Sequence, residues 1–95
     1  MDTHEAQNKA RQTVDEVFES FRELQHRADD ASREAQQEVQ KKMDDLRTRR
    51  DELKNRYEEL AEAGESKAEE AREAFGKAQE SFQRGFREIG QVLDD

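Results

Sequence analysis

Apolar side chains recur every three or four residues along most of the chain, and this periodicity limits the possible folds more than any other feature. The series begins at Val14 and ends at Leu93, and only Arg50 and Gly64 among its positions are not apolar. Steps of three and four residues place side chains on one face of an α-helix. The chain also lacks proline and is rich in residues that favour helix. The sequence therefore predicts an all-α fold that forms a single helical domain over residues 1–95.

The apolar face is thin for a chain of this length. Leu, Ile, Val and Phe make up only fifteen residues, whereas 44% of residues are charged and the net charge is -8. Such a composition is typical of disordered chains, although the regular periodicity argues against disorder. An isolated helix or a loose hairpin would bury too little apolar surface to offset the entropy lost on folding. We therefore expect a second chain or another partner to contribute to the core.

The clearest predicted turn covers residues 63–66. Gly64 can adopt the left-handed conformation that often ends a helix. Ser66 and Glu69 have the S-x-x-E spacing of a capping box, in which Ser66 would cap the following helix. These turn and cap residues predict one helix that ends near residue 62 and a shorter antiparallel helix over about 66–93.

The sequence leaves open whether residues 3–62 form one long helix or bend near residues 29–32. Asp30 or Ser32 could cap a new helix, but no glycine or proline forces the first helix to stop. A continuous helix would assemble as a domain-swapped antiparallel homodimer, in which the chains cross at small residues, and this is the favoured arrangement. The alternative is a compact three-helix bundle monomer. Both bring the bulky residues of three segments into the same layers.

The predicted core or oligomer interface is the same in both arrangements. It comprises Val14, Val17, Phe21, Leu24, Ala28, Ala31, Ala35, Val39, Met43, Leu46, Phe82, Phe86 and Ile89.

Few residues suit catalysis or metal binding. Glu23 and His26 have the E-x-x-H spacing found in metal-binding helical bundles, but the apolar face turns His26 toward solvent. There is no cysteine, and no serine stands in a recognisable arrangement with a histidine. We expect neither an enzyme nor a bound metal or cofactor.

A basic stretch covers residues 41–56, with seven basic and four acidic side chains. Pairs such as Asp45 and Arg49 have the spacing of helical ion pairs, which favours a solvated face. No aromatic residue is interleaved for base stacking, so nucleic acid is not an expected partner. We expect the stem of Arg50 to pack along the groove while its guanidinium reaches solvent or a carboxylate.

The C-terminal helix carries Phe75, Phe82, Phe86, Ile89 and Leu93 along one face. This face is either the third stripe of the core or a surface for a partner protein or a lipid. The sequence thus predicts a non-catalytic protein–protein interaction or oligomerisation module, with a second copy and an unidentified protein as partners. The alternative is an amphipathic-helix protein that reversibly coats a membrane, lipid or storage-granule surface. No apolar run is long enough to cross a bilayer, and we expect a cytoplasmic location.

Overall fold

The computed structural model describes residues 3–94, apart from the side chain of Thr3; the remaining residues of the predicted domain, 1, 2 and 95, lie outside this description. Three helices occupy this range: α1 (Thr3–Asp29), α2 (Arg33–Glu62) and α3 (Glu65–Asp94). They pack side by side into a rod of 49 × 17 × 17 Å. Residues 3–94 contain no strand, so the prediction of an all-α fold is confirmed.

The core lies along the axis of this rod and receives apolar residues from all three helices. Of the residues assigned to the core or an oligomer interface, Ala31, Ala35 and Phe86 are only partly buried. The other ten are buried. The buried set also includes residues outside that assignment: Ala6, Ala10, Leu53, Leu60, Ala68, Phe75 and Ala78. A single chain therefore encloses most of its own apolar face.

The chain breaks between α1 and α2 at residues 30–32, whereas the favoured prediction had one helix over residues 3–62. Ser32 adopts extended backbone with φ -59° and ψ 158°, and its Oγ accepts a hydrogen bond from the N–H of Ala35 at 3.3 Å. The side-chain amide of Gln36 donates to the carbonyl of Asp29 at 2.7 Å. These contacts satisfy backbone groups at both helix ends, which is why the bend forms without glycine or proline.

The connection between α2 and α3 is shorter than the predicted turn over residues 63–66. Ala63 is extended, and its N–H donates to the carbonyl of Leu60 at 3.3 Å. Gly64 does not have a positive φ, so the predicted left-handed conformation is wrong. Its carbonyl accepts from the N–H of Lys67 at 3.0 Å. Gly64 therefore directly precedes α3, in the capping position that the sequence predicted for Ser66. Ser66 is instead the second residue of α3, and Glu69 lies further along the same helix.

Contacts between the helices are unequal. The most extensive contact joins α2 to α3, and the contact between α1 and α3 is the least extensive. Gln7 donates to the carbonyls of Leu60 and Ala61 at the end of α2. At the opposite end of the rod, Arg27 and Asp94 form an ion pair at 2.6 Å. Helices α1 and α3 therefore run in the same direction, and they are held together mainly through α2.

Candidate interaction surface

An open groove of about 310 Å³ runs between α1 and α3, where these two helices separate. Val17 and Phe82 are buried at its floor, and Phe86 is partly exposed beside them. The lining consists of Thr13, Glu16, Val17, Ser20, Gln79, Phe82, Gln83, Phe86 and Arg87. The groove therefore combines an apolar floor with polar walls, which is the usual composition of a recognition site for an amphipathic segment.

The two edges of this groove carry opposite charges. Glu16 lies on the α1 edge and Arg87 on the α3 edge, and both side chains are exposed. Neither forms an ion pair with any other residue within 3–94. The remaining wall residues are neutral hydroxyls and amides. A ligand in the groove would thus meet one free carboxylate and one free guanidinium on opposite sides.

The predicted partner or lipid face on α3 is not exposed as a whole. Phe75, Phe82 and Ile89 are buried in the core, whereas Phe86 and Leu93 are partly buried. The rings of Phe82 and Phe86 lie 6.0 Å apart between centroids. Of the five residues, only Phe86 and Leu93 therefore present apolar surface to a partner while the bundle stays closed.

Arg50 packs against aromatic rings of α1. Its guanidinium carbon lies 4.8 Å from the ring centroid of Phe18 and 4.7 Å from that of Phe21. The same guanidinium donates two hydrogen bonds to Asp51 Oδ1, at 3.0 and 2.8 Å. Arg50 thus covers part of the core edge with its flat cationic face and keeps a carboxylate partner. Its position in the apolar series is explained by packing.

The arginines of the basic stretch pair with neighbouring carboxylates on α2. Arg49 Nε lies 2.9 Å from Asp45 Oδ2, which is the pair with helical spacing singled out in the sequence. Arg47 pairs with Asp44, and Arg56 contacts both Glu52 and Glu59. The hydrogen bond to Glu59 and the charge of Glu52 raise the pKa of Arg56 above its ordinary value. The basic stretch therefore offers fewer unpaired positive charges than its composition indicates.

Glu23 and His26 are both exposed on α1. Within residues 3–94, no group of three or more histidine and acidic side chains is arranged to hold a metal ion. In the same range, no helix is long and apolar enough to cross a membrane.

Most of the groove could not be identified from the sequence. Val17, Phe82 and Phe86 belong to the apolar series, but the polar lining residues are ordinary surface positions of α1 and α3. Their proximity depends on how far these two helices separate, and no local pattern encodes that distance. Comparisons with protein-family models, curated proteins and solved structures gave no match. The geometry is therefore the basis for a functional proposal.

Proposed function

We propose that this chain is a non-catalytic helical interaction module that acts as a homodimer, in which two copies exchange α1. The observation that carries the dimer is the connection at residues 30–32. No residue in it requires a bend: it contains neither glycine nor proline, and none of its residues has a positive φ. Two surface hydrogen bonds hold the bend: Ser32 Oγ accepts from the N–H of Ala35, and the side-chain amide of Gln36 donates to the carbonyl of Asp29.

Straightening this connection would fuse α1 and α2 into one helix over residues 3–62. Backbone groups that lack a partner at the end of α1 and the start of α2 would then gain one, whereas the N–H of Ala35 and the carbonyl of Asp29 would exchange side-chain partners for helical ones. The apolar face continues through the connection, since Ala28, Ala31 and Ala35 follow one another at steps of three and four. In the extended chain, α1 would leave its own α2 and α3 and pack on those of a second copy.

The buried face of α1 makes exchange more favourable than simple release. Val17, Phe21 and Leu24 are buried in the closed chain, so a detached α1 would expose large apolar side chains. Exchange restores each of these contacts between chains. The pair between Arg27 and Asp94 would likewise re-form across the dimer.

Arg33 provides a selective test. It is the first residue of α2, where proline is well tolerated, and Ser32 before it already has the extended backbone that a following proline requires. In a continuous helix, a proline at this position would remove a hydrogen bond and clash with the preceding turn, at a cost of about 3 kcal/mol per chain. We expect light scattering to give a dimer mass for the wild type and a monomer mass for Arg33→Pro.

Arg33→Ala is the matched control, because it removes the same charge but permits both arrangements; we expect it to remain dimeric. Ser32→Ala removes the cap of the bend and should strengthen the dimer. A wild-type protein that stays monomeric across the concentration range would refute the dimer. A dimer that persists unchanged in Arg33→Pro would refute exchange while leaving self-association in place.

A second candidate function is reversible coating of a lipid or granule surface through the end of α3. It is favoured by Phe86, Val92 and Leu93, which are only partly buried. If this proposal is right, the protein should float with lipid vesicles, and Leu93→Asp should abolish flotation without unfolding the bundle. The exposed neighbour Gln91 provides the control, since Gln91→Asp adds the same charge off the apolar face. Absence of flotation with neutral and anionic vesicles would eliminate this candidate.

A further inference from the structure

We propose that the groove between α1 and α3 binds one amphipathic helix of a partner protein, with basic residues on one flank of its apolar stripe and acidic residues on the other. This inference rests on the proposed function as an interaction module, but not on the dimer. Exchange of α1 replaces one wall of the groove by the same helix from the second copy, so the groove exists in both arrangements.

The direction and shape of the groove select a helix. Its walls are two helices that run in the same direction, so the apolar floor of Val17, Phe82 and Phe86 extends parallel to their axes. A helix laid along this floor would stand where a four-helix bundle has its fourth member. It would contact the floor with residues spaced at three and four positions. The partly exposed ring of Phe86 would supply the main apolar contact.

The charges at the edges define the flanks of the ligand. Glu16 favours lysine or arginine on the flank that faces α1, and Arg87 favours aspartate or glutamate on the flank that faces α3. Both charges lack an ion pair within residues 3–94, so binding would not have to break one. A helix can enter the groove in either direction, and reversing its direction exchanges its flanks. The recognisable property is therefore opposite charge on the two flanks.

Three synthetic peptides test this requirement by fluorescence anisotropy. They share one apolar stripe and carry lysine on one flank and glutamate on the other, lysine on both, or glutamate on both. Each uniform peptide exchanges one attraction at the edge for a repulsion, so the mixed peptide should bind about three- to tenfold more tightly than either. The measurements belong at physiological ionic strength, where the net charge of the protein is screened beyond about 8 Å.

Charge reversal at each edge should change the preferred peptide. Glu16→Lys should transfer the preference to the peptide with two acidic flanks, and Arg87→Glu to the peptide with two basic flanks. Asp15→Lys is the control for charge, because Asp15 is exposed on α1 but lies outside the groove. It should leave the order of the three affinities unchanged.

Truncation of the floor provides a readout independent of charge. Phe86→Ala should weaken the mixed peptide by about tenfold or more. Phe18→Ala removes a partly buried ring from a different side of α1 and should leave the affinity unchanged. Thermal melts of both variants check that the bundle remains folded.

Tightest binding by the peptide with two basic flanks would show that net charge alone governs attraction, and this would overturn the proposal. Failure of all three peptides to bind the folded protein would also overturn it. Loss of dimer mass in Phe86→Ala, together with absence of peptide binding to the wild type, would show that a second copy of the chain occupies the groove, and this would likewise overturn the proposal. Repeating the titration with Arg33→Pro separates the two proposals, since the groove should bind the mixed peptide even where exchange is blocked.

Discussion

Gly85 is the position where the packing of α2 on α3 can be tested most directly. It is a buried glycine inside α3. A Cβ added there would lie 3.0 Å from Leu46 Cδ1 and 3.1 Å from Arg49 Nη1. Both distances are shorter than ordinary carbon contacts of about 3.5–4.0 Å. The absence of a side chain thus lets α2 approach the backbone of α3, where Arg49 donates to the carbonyl of Ser81 at 2.8 Å.

The cost of Gly85→Ala follows from two opposing terms. Alanine in place of glycine inside a helix contributes about 0.5–1 kcal/mol of stability. Overpacking costs about 1–3 kcal/mol, and the neighbours have little freedom to move: Leu46 is 0% exposed, and Arg49 is held by Asp45 as well as Ser81. We therefore expect a net loss of about 1 kcal/mol, which lowers Tm by about 4–8 °C for a domain of this size.

The same substitution at Gly76 and Gly90 supplies matched controls on the same helix. Apart from the adjacent residues and the backbone of the same helix turn, no atom lies within 4 Å of an added Cβ at either position, so only the helix-propensity gain remains, and both variants should be more stable than wild type. Circular dichroism melts of the three variants measure the difference. A rise in Tm for Gly85→Ala equal to that for Gly76→Ala would refute the close approach. In an Arg49→Ala background, part of the penalty should disappear, while the contact with Leu46 retains the rest.

Substitutions at three further positions test other parts of the fold, and urea unfolding of each variant measures the effect. Leu53 is 0% exposed in the core, so Leu53→Ala should lower the free energy of unfolding by about 2–5 kcal/mol. A decrease of less than about 1 kcal/mol, half the lower bound of that range, would contradict the burial of Leu53. Gly64→Ala should change stability by less than about 0.5 kcal/mol, because Gly64 lacks a positive φ and no atom beyond its two chain neighbours lies within 4 Å of an added Cβ. Arg50→Ala should cost about 1–2 kcal/mol through loss of stacking on Phe18 and Phe21, whereas Arg50→Met, which retains the stem, should recover part of it.

The periodic series accounts for the helical fold and for most of the buried residues, because helix burial follows steps of three and four along a sequence. The same rule extends backward from Val14 through Ala10 to Ala6, and both alanines are buried. The predicted core began too late, since alanines among polar residues carry a weak hydrophobic signal. Phe18 lies outside the series, yet its ring contacts Arg50; that contact depends on the packing of α1 against α2.

Helix ends were harder to predict than helix faces. Ser32 carried a capping signal, but a cap contributes only about 1 kcal/mol, which tertiary packing can override in either direction. At the second connection, the sequence carries two signals close together: Gly64, which predicted the end of α2, and Ser66 with Glu69, which predicted the start of α3. The extended backbone of Ala63 already separates the two helices. Helix α3 can therefore begin directly after Gly64, and Ser66 lies inside it. Local signals therefore located each connection without fixing its geometry.

The balance between the closed chain and an exchanged dimer depends on few terms, because exchange replaces each contact of α1 by the same contact from another copy. Association costs at least about 4 kcal/mol of translational and rotational freedom. Each backbone hydrogen bond gained by straightening residues 30–32 returns about 0.5–1.5 kcal/mol, less the contribution of the two side-chain hydrogen bonds that hold the bend. New contacts where the two long helices cross, at Ala28, Ala31 and Ala35, must supply the remainder. Arg33→Pro acts on the connection alone and leaves those alanines intact, so its effect on dimer mass isolates the contribution of the straight helix.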